Sequence, residues 1–206
     1  MPTFILDQLA EGNRQGDFPA VVLFVDSSGF TPLTSRLMEQ GNEGAEIIAQ
    51  VLAALFAPLL EIIYRQGGFV AGFAGDAFKA IFPGDSQQSR IDALNAAWQI
   101  RQWMAEHPMQ TTRFGSFPFA VKISVAQGNV EWCIWQADAA PTPSPMQRQE
   151  AAAYFGGAAL DQALAADPLI QAGEIVLSAD VAQTLAGEGI ELVPVASYYR
   201  LQSWRG

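Results

Sequence analysis

Apolar residues recur along the chain with two different periods, and the alternation between the two outlines a fold. The run AVVLFV at 20–25 is short, unbroken and rich in valine, which predicts a buried strand. Over 43–66 the apolar positions Ile47, Ile48, Val51, Leu52, Leu55, Phe56, Leu59, Leu60 and Ile63 fall three and four apart, the spacing of a helix with one buried face. Pro58 within it predicts a bend or break, and Gly67-Gly68 ends it. Strands are expected at 69–74 and 77–82, joined by Gly75-Asp76 as a tight hairpin turn. A second helix over 86–106 carries Ile91, Leu94, Ala97, Trp98, Ile100 and Trp103, and strands at 120–126 and 129–135 flank Gln127-Gly128 as a second hairpin.

After that hairpin the pattern lapses. The stretch QADAAPTPSPMQRQE at 136–150 holds three prolines and few large apolar residues, which predicts a mobile or extended excursion at 137–149. Beyond it a helix at 158–166, a strand at 174–177, a short helix at 179–185 and closing strands at 190–195 and 198–201 are expected. The series β, α, hairpin, α, hairpin, followed by α/β additions, specifies an α+β fold with helices packed on a mixed sheet. It fits one domain over 1–206 with its core at about 18–201. The ending Trp204-Arg205-Gly206, uncapped just after a strand, predicts an N-terminal fragment of a longer multidomain protein.

Composition narrows the function classes. A net charge of −10, with Lys79 and Lys122 as the lysines, leaves no basic footprint for nucleic acid or anionic lipid. Neither an export signal nor a long uninterrupted apolar span is found, so no membrane partner and a cytoplasmic location are expected. The single cysteine, Cys133 in VEWCIW, excludes an internal disulfide and is read as core.

The candidate chemistry lies in two acids. Asp26 ends the first strand in VVLFVDSSGFTPL and Asp76 sits at the tip of the next hairpin, so adjacent pairing of those strands brings both to one edge of the sheet. Each alone reads as a helix cap or a turn residue. Together they are two like charges that a divalent cation would bridge. Ser27, Ser28, Gly29, Phe30 and Thr31 follow as a turn into a helix, offering successive backbone N–H groups to phosphate oxygens. Metal plus anion seat suggests a nucleoside triphosphate. Lys79 is read as a solvent-face strand residue, His107 as a helix-end cap, and Trp132 and Trp135 as core or interface aromatics.

The segments VDSSGFT, GGFVAGFAGDAFKAIF, VKISVAQGNVEW and YFGGAALD, in this order, resemble the catalytic domain of class III adenylyl and guanylyl cyclases, most of all the first cyclase domain of soluble adenylyl cyclases and their large bacterial relatives. The resemblance implies a ferredoxin-like βαββαβ core and head-to-tail pairing, as a homodimer or with a complementary cyclase domain. It implies that a ribose 3′-hydroxyl attacks the α-phosphorus of ATP, or less readily GTP, with two Mg²⁺ or Mn²⁺ ions assisting. It places the metal ligands on Asp26, Asp76 and the backbone carbonyl of Ser27, where isoleucine is usual, and the triphosphate cradle on Ser28, Gly29, Phe30 and Thr31. The other half of the family's site has no counterpart here. The base-reading lysine falls on Gly72, its purine-reading partner on Tyr154, the ribose-orienting asparagine on Asp161 and the transition-state arginine on Ala165. An ionised aspartate does not donate as asparagine does, and alanine supplies no charge. The resemblance thus implies the metal-donating half of an adenylyl cyclase, inactive or very weak alone, or else a module that pairs and regulates without turnover. Bicarbonate sensing is not expected, because Gly72 and Leu164 stand where its lysine and arginine would be.

Overall fold

The apolar run at 20–25 is the middle of a longer strand, β1 (Gln15–Ser28). Its unbroken apolar character follows from burial on both faces: Val21, Leu23 and Val25 enter one core and Ala20, Val22 and Phe24 another. These positions come from a computed structural model, which describes residues 2–136, 151–187 and 189–205. A short helix α1 (Thr3–Ala10) precedes β1, and α2 (Phe30–Met38) and α3 (Gly41–Arg65) follow it. Next come the hairpin β2 (Phe69–Ala74) and β3 (Ala77–Pro83), then α4 (Gln87–Glu106). A small separate hairpin, β4 (Met109–Thr112) and β5 (Gly115–Pro118), leads into β6 (Ala120–Gln136). The remainder is β7 (Ala151–Gly156), α5 (Ala158–Ala165), a 3₁₀ turn (Asp167–Leu169), β8 (Ile175–Ser178), α6 (Ala179–Thr184), β9 (Ile190–Val195) and β10 (Tyr198–Trp204).

The strands lie in the order β2-β3-β1-β6-β8-β10-β9, with β7 also paired to β6. The first four, connected through α3 and α4, form the expected ferredoxin-like βαββαβ core, and β8 to β10 with α6 are the C-terminal additions. Helices α3 and α4 cover one face of the sheet around Leu55, Leu59, Leu94 and Ile100. The other face is covered by α1 and α5, where Ile5, Trp132, Phe155 and Leu160 are buried.

Three expectations need correction, and one helix was not predicted. The second hairpin does not form: residues 120–136 are one strand, paired antiparallel with β1 from Ala120 to Cys133, with Gly128 opposite Ala20. A turn signal is overridden when the neighbouring strand is long enough to pair straight across it. Of the bend or break expected at Pro58, the break does not occur: α3 is continuous from Gly41 to Arg65, and the carbonyl that proline leaves without a donor belongs to exposed Ala54. Cys133 is exposed, not core, because β6 alternates: Val130, Trp132 and Ile134 point into the core beneath α1, while Glu131, Cys133 and Trp135 point outward. The same alternation buries Trp132 and leaves Trp135 outside. Finally, α1 was not foreseen. Its anchor is Phe4, whose ring contacts Phe18, Phe69, Trp132 and Phe155, with Ile5 fully buried beside it.

By length and composition α3 would be long and apolar enough to cross a membrane; here it lays Val51, Leu55, Phe56, Leu59, Ile62 and Ile63 into the core. The Pro-rich segment 137–149 lies outside the described residues.

Candidate active site

Pairing of β1 with β3 places Asp26 opposite Ala77, the residue after Asp76, so the two acids meet at one end of the sheet. Gly75, with φ +67°, makes the β2–β3 turn that carries Asp76 there. Ser27 ties the pair together twice: its N–H donates to the Asp76 carbonyl and its hydroxyl to Asp76 Oδ2, each at 3.3 Å. Ser27, at the position where the resemblance implies an isoleucine, thus holds the second acid in part through a hydroxyl that isoleucine would lack.

The turn after Asp26 is shaped by close approach. Gly29 has φ +110°, and a Cβ there would stand 2.0 Å from the Pro118 carbonyl oxygen, so no other residue fits. Ser28 donates to the Ala120 carbonyl at 3.3 Å, fastening the same turn to the start of β6. Gly29 caps α2 without a side-chain hydrogen bond, which leaves the first-turn N–H groups of Phe30 and Thr31 without a side-chain acceptor. Phe30 packs on the core and anchors this helix start.

One charged side chain beside Asp26 was not singled out by the sequence reading. Lys122 lies opposite Asp26 in the β1–β6 register, and its Nζ is 2.8 Å from Asp26 Oδ2 and 2.8 Å from Asp167 Oδ1. All three side chains are half-buried. Burial lowers the Lys122 pKa, the hydrogen bonds it donates to Asp167 and Asp26 and the charges of those carboxylates raise it, and the net shift is upward, so the ammonium stays charged. A partial signal was present: Asp26 and Lys122 are opposite charges set in the mostly apolar stretches VVLFVD and AVKISVA of two strands that pair. Nothing in the sequence marked Asp167, which comes in from the turn after α5.

The donor chemistry suits a hard cation. Asp26, Asp76 and the Ser27 carbonyl are all oxygen donors, and Mg²⁺ is held by one or two carboxylates with substrate phosphates and water completing its shell. In keeping with such a partial set, no three His, Cys, Asp or Glu side chains converge as a complete cage among the described residues.

The positions of the other half-site are separate. Asp161, Leu164 and Ala165 share the outward face of α5, all exposed. Gly72 is on β2 opposite Lys79, and a Cβ there would meet no atom within 4 Å, so packing does not demand glycine. Gly72 lines a cavity with Pro2, Phe73 and Ala153, whereas Tyr154 lies outside it, in a second cavity with Asp17, Glu131 and Cys133. Gly72 and Tyr154, paired by the resemblance as base readers, are not brought together; Ala153 stands beside the Gly72 cavity instead. Lys79 is half-buried rather than on an open face. His107 caps α4 as expected, with Nδ1 2.8 Å from the Trp103 carbonyl and its ring stacked on Trp103.

The fold has counterparts among solved structures. The adenylyl cyclase CyaB from P. aeruginosa superimposes with a TM-score of 0.66 at 19% identity, covering 93% of this chain and 97% of that one. The guanylate cyclase domain of RhGC from Catenaria anguillulae, solved in complex with GTP, gives 0.68 at 17% identity over 92% of this chain and all of that one. This chain has the class III nucleotide cyclase fold. In sequence, the cyclase-fold chain is 33% identical to adenylate cyclase type 10 of Rattus norvegicus over 73 residues, and matches the human protein to the same extent. That segment is 34% of this chain and 4% of the rat protein's length. No protein-family model matches the chain.

Proposed function

We propose that this domain is the metal-donating half of a class III adenylyl cyclase, forming cyclic AMP and pyrophosphate from ATP when paired with a complementary cyclase domain. The observation that carries this reading is the juxtaposition of Asp26 and Asp76, clamped by Ser27 beside the uncapped start of α2. Asp26, Asp76 and the Ser27 carbonyl would hold Mg²⁺ or Mn²⁺, which when bound supplies charge stabilisation at the attacking and leaving oxygens. The N–H groups of Phe30 and Thr31 would orient the triphosphate at the positive end of α2. Base, ribose and transition-state contacts would come from the partner domain, since Gly72, Asp161 and Ala165 supply none of them. ATP rather than GTP rests on the likeness to adenylate cyclase type 10.

The test is cyclic AMP production from ATP and Mn²⁺ by this chain mixed with a cyclase domain that carries the lysine, asparagine and arginine. Activity is expected only in the mixture, and Asp26→Ala or Asp76→Ala should lower it by at least about a hundredfold. Full activity in both variants would overturn the reading.

A second reading is a cyclase-fold module that pairs and regulates attached domains without turnover. The contact favouring it is the Lys122 ammonium on Asp26. A mixture that binds Mn²⁺ and pairs, yet yields no cyclic AMP, would support it.

A further inference from the structure

The Lys122 contact carries more than a choice between those readings. We propose that Lys122 is a tethered counter-cation that competes with the divalent ion for Asp26, and that Asp167 is the seat to which its ammonium retires when the ion binds. This inference rests on Asp26 and Asp76 being the metal ligands.

Charge and geometry support it. Two carboxylates, Asp26 and Asp167, hold one ammonium, and Asp76 lies beside Asp26 at the same end of the sheet. Lys122 divides itself evenly, 2.8 Å from Asp26 Oδ2 and 2.8 Å from Asp167 Oδ1. Asp76 has its own tie to Ser27 and makes no ion pair with the lysine. An ion bridging Asp26 and Asp76 would stand close to Nζ and be repelled by it. Ammonium has three donors on a flexible stem, so it can give up Asp26 and keep Asp167 without unfolding anything. Asp167 is placed for this by the 3₁₀ turn that follows α5, independently of the strands carrying Asp26 and Lys122. Without Asp167 the ammonium would have Asp26 as its only carboxylate, and the metal would have to displace it outright.

Mn²⁺ binding to the whole chain, followed by the electron paramagnetic resonance signal of the free ion, tests this apart from catalysis. Lys122→Met and Lys122→Gln should each tighten Mn²⁺ by roughly three- to tenfold, and Asp167→Asn should weaken it by roughly threefold. The glutamine keeps a polar group between the two acids should the methionine variant fold poorly, and circular dichroism confirms the folded state. The deciding comparison is Asp167→Asn in the Lys122→Gln background. If Asp167 acts through Lys122, the substitution has no effect there beyond about twofold. An equal weakening in both backgrounds would make Asp167 a plain background charge and overturn the relay. Unchanged affinity in both lysine variants, with binding lost in Asp26→Ala, would overturn the competition and leave the metal site standing. If neither the parent nor any variant binds Mn²⁺, the metal site itself falls and the inference with it.

Discussion

Gly29 shows how narrowly the candidate site is built. Its φ of +110° is costly for any L side chain, and a Cβ would overlap the Pro118 carbonyl at 2.0 Å. Gly29→Ala is therefore expected to destabilise the domain by about 2–4 kcal/mol, through both strain and displacement of the β5–β6 connection, read as a shifted urea midpoint. The turn seats α2, so the same variant should lose triphosphate binding before it loses the fold. A variant as stable as the parent would show that the close approach is relieved by a small local shift. Asp26 and Lys122 illustrate the opposite case: neither residue is forced by backbone shape, and their meaning comes from facing one another across paired strands.

At the scale of elements, two serines at helix starts separate capping from burial. Ser86 precedes α4, and its Oγ accepts from the Ser89 N–H at 3.0 Å. Ser178 precedes α6, is fully buried, and its hydroxyl has no partner. Ser86→Ala should cost about 1 kcal/mol of stability, as loss of an N-cap does. Ser178→Ala should be neutral or stabilising by up to about 1 kcal/mol, since it removes an unsatisfied buried hydroxyl. Urea denaturation of the two variants side by side checks the contrast, and an equal loss in both would contradict it. The elements also show where periodicity misleads. Gln127-Gly128 has turn chemistry but lies opposite Val21 and Ala20, in the middle of the stretch Ala120–Cys133 that β1 pairs without interruption. Pro58 has breaker chemistry but sits in a helix held to the core on both sides of it, by Val51, Leu55 and Phe56 before it and Leu59, Ile62 and Ile63 after it.

Over the whole molecule the proposal is one of complementarity, and it predicts a gain as well as losses. Gly72, Asp161 and Ala165 are the positions from which base, ribose and transition-state contacts are missing, and none is held by packing: Gly72 has open space at its Cβ, and Asp161 and Ala165 are exposed on α5. The combined variant Gly72→Lys, Asp161→Asn, Ala165→Arg should fold with a stability within about 1 kcal/mol of the parent. If the chain pairs head to tail with itself, this variant should form cyclic AMP with Mn²⁺ at least about tenfold faster than the parent homodimer. A folded, dimeric variant with no gain would mean that more than these three contacts is absent. Tyr154 is a candidate for that shortfall, because it lies away from the cavity that Gly72 lines.

The sequence by itself determined the α+β class, the first strand, the two long helices and the hairpin that carries Asp76, because these follow from local periodicity and turn chemistry. The βαββαβ order was implied by the resemblance, and the meeting of Asp26 with Asp76 required β1 to pair with β3. Only the tertiary structure decided that residues 120–136 are one strand, that Cys133 faces outward, that α1 closes the aromatic face, and that Lys122 and Asp167 share the site. In each of these cases the outcome depends on what lies across from a residue: strand β1 opposite a turn signal, the face α1 leaves uncovered, and a lysine beside an acid far away in the chain. Such partners are set by packing and sheet register, which local sequence does not encode.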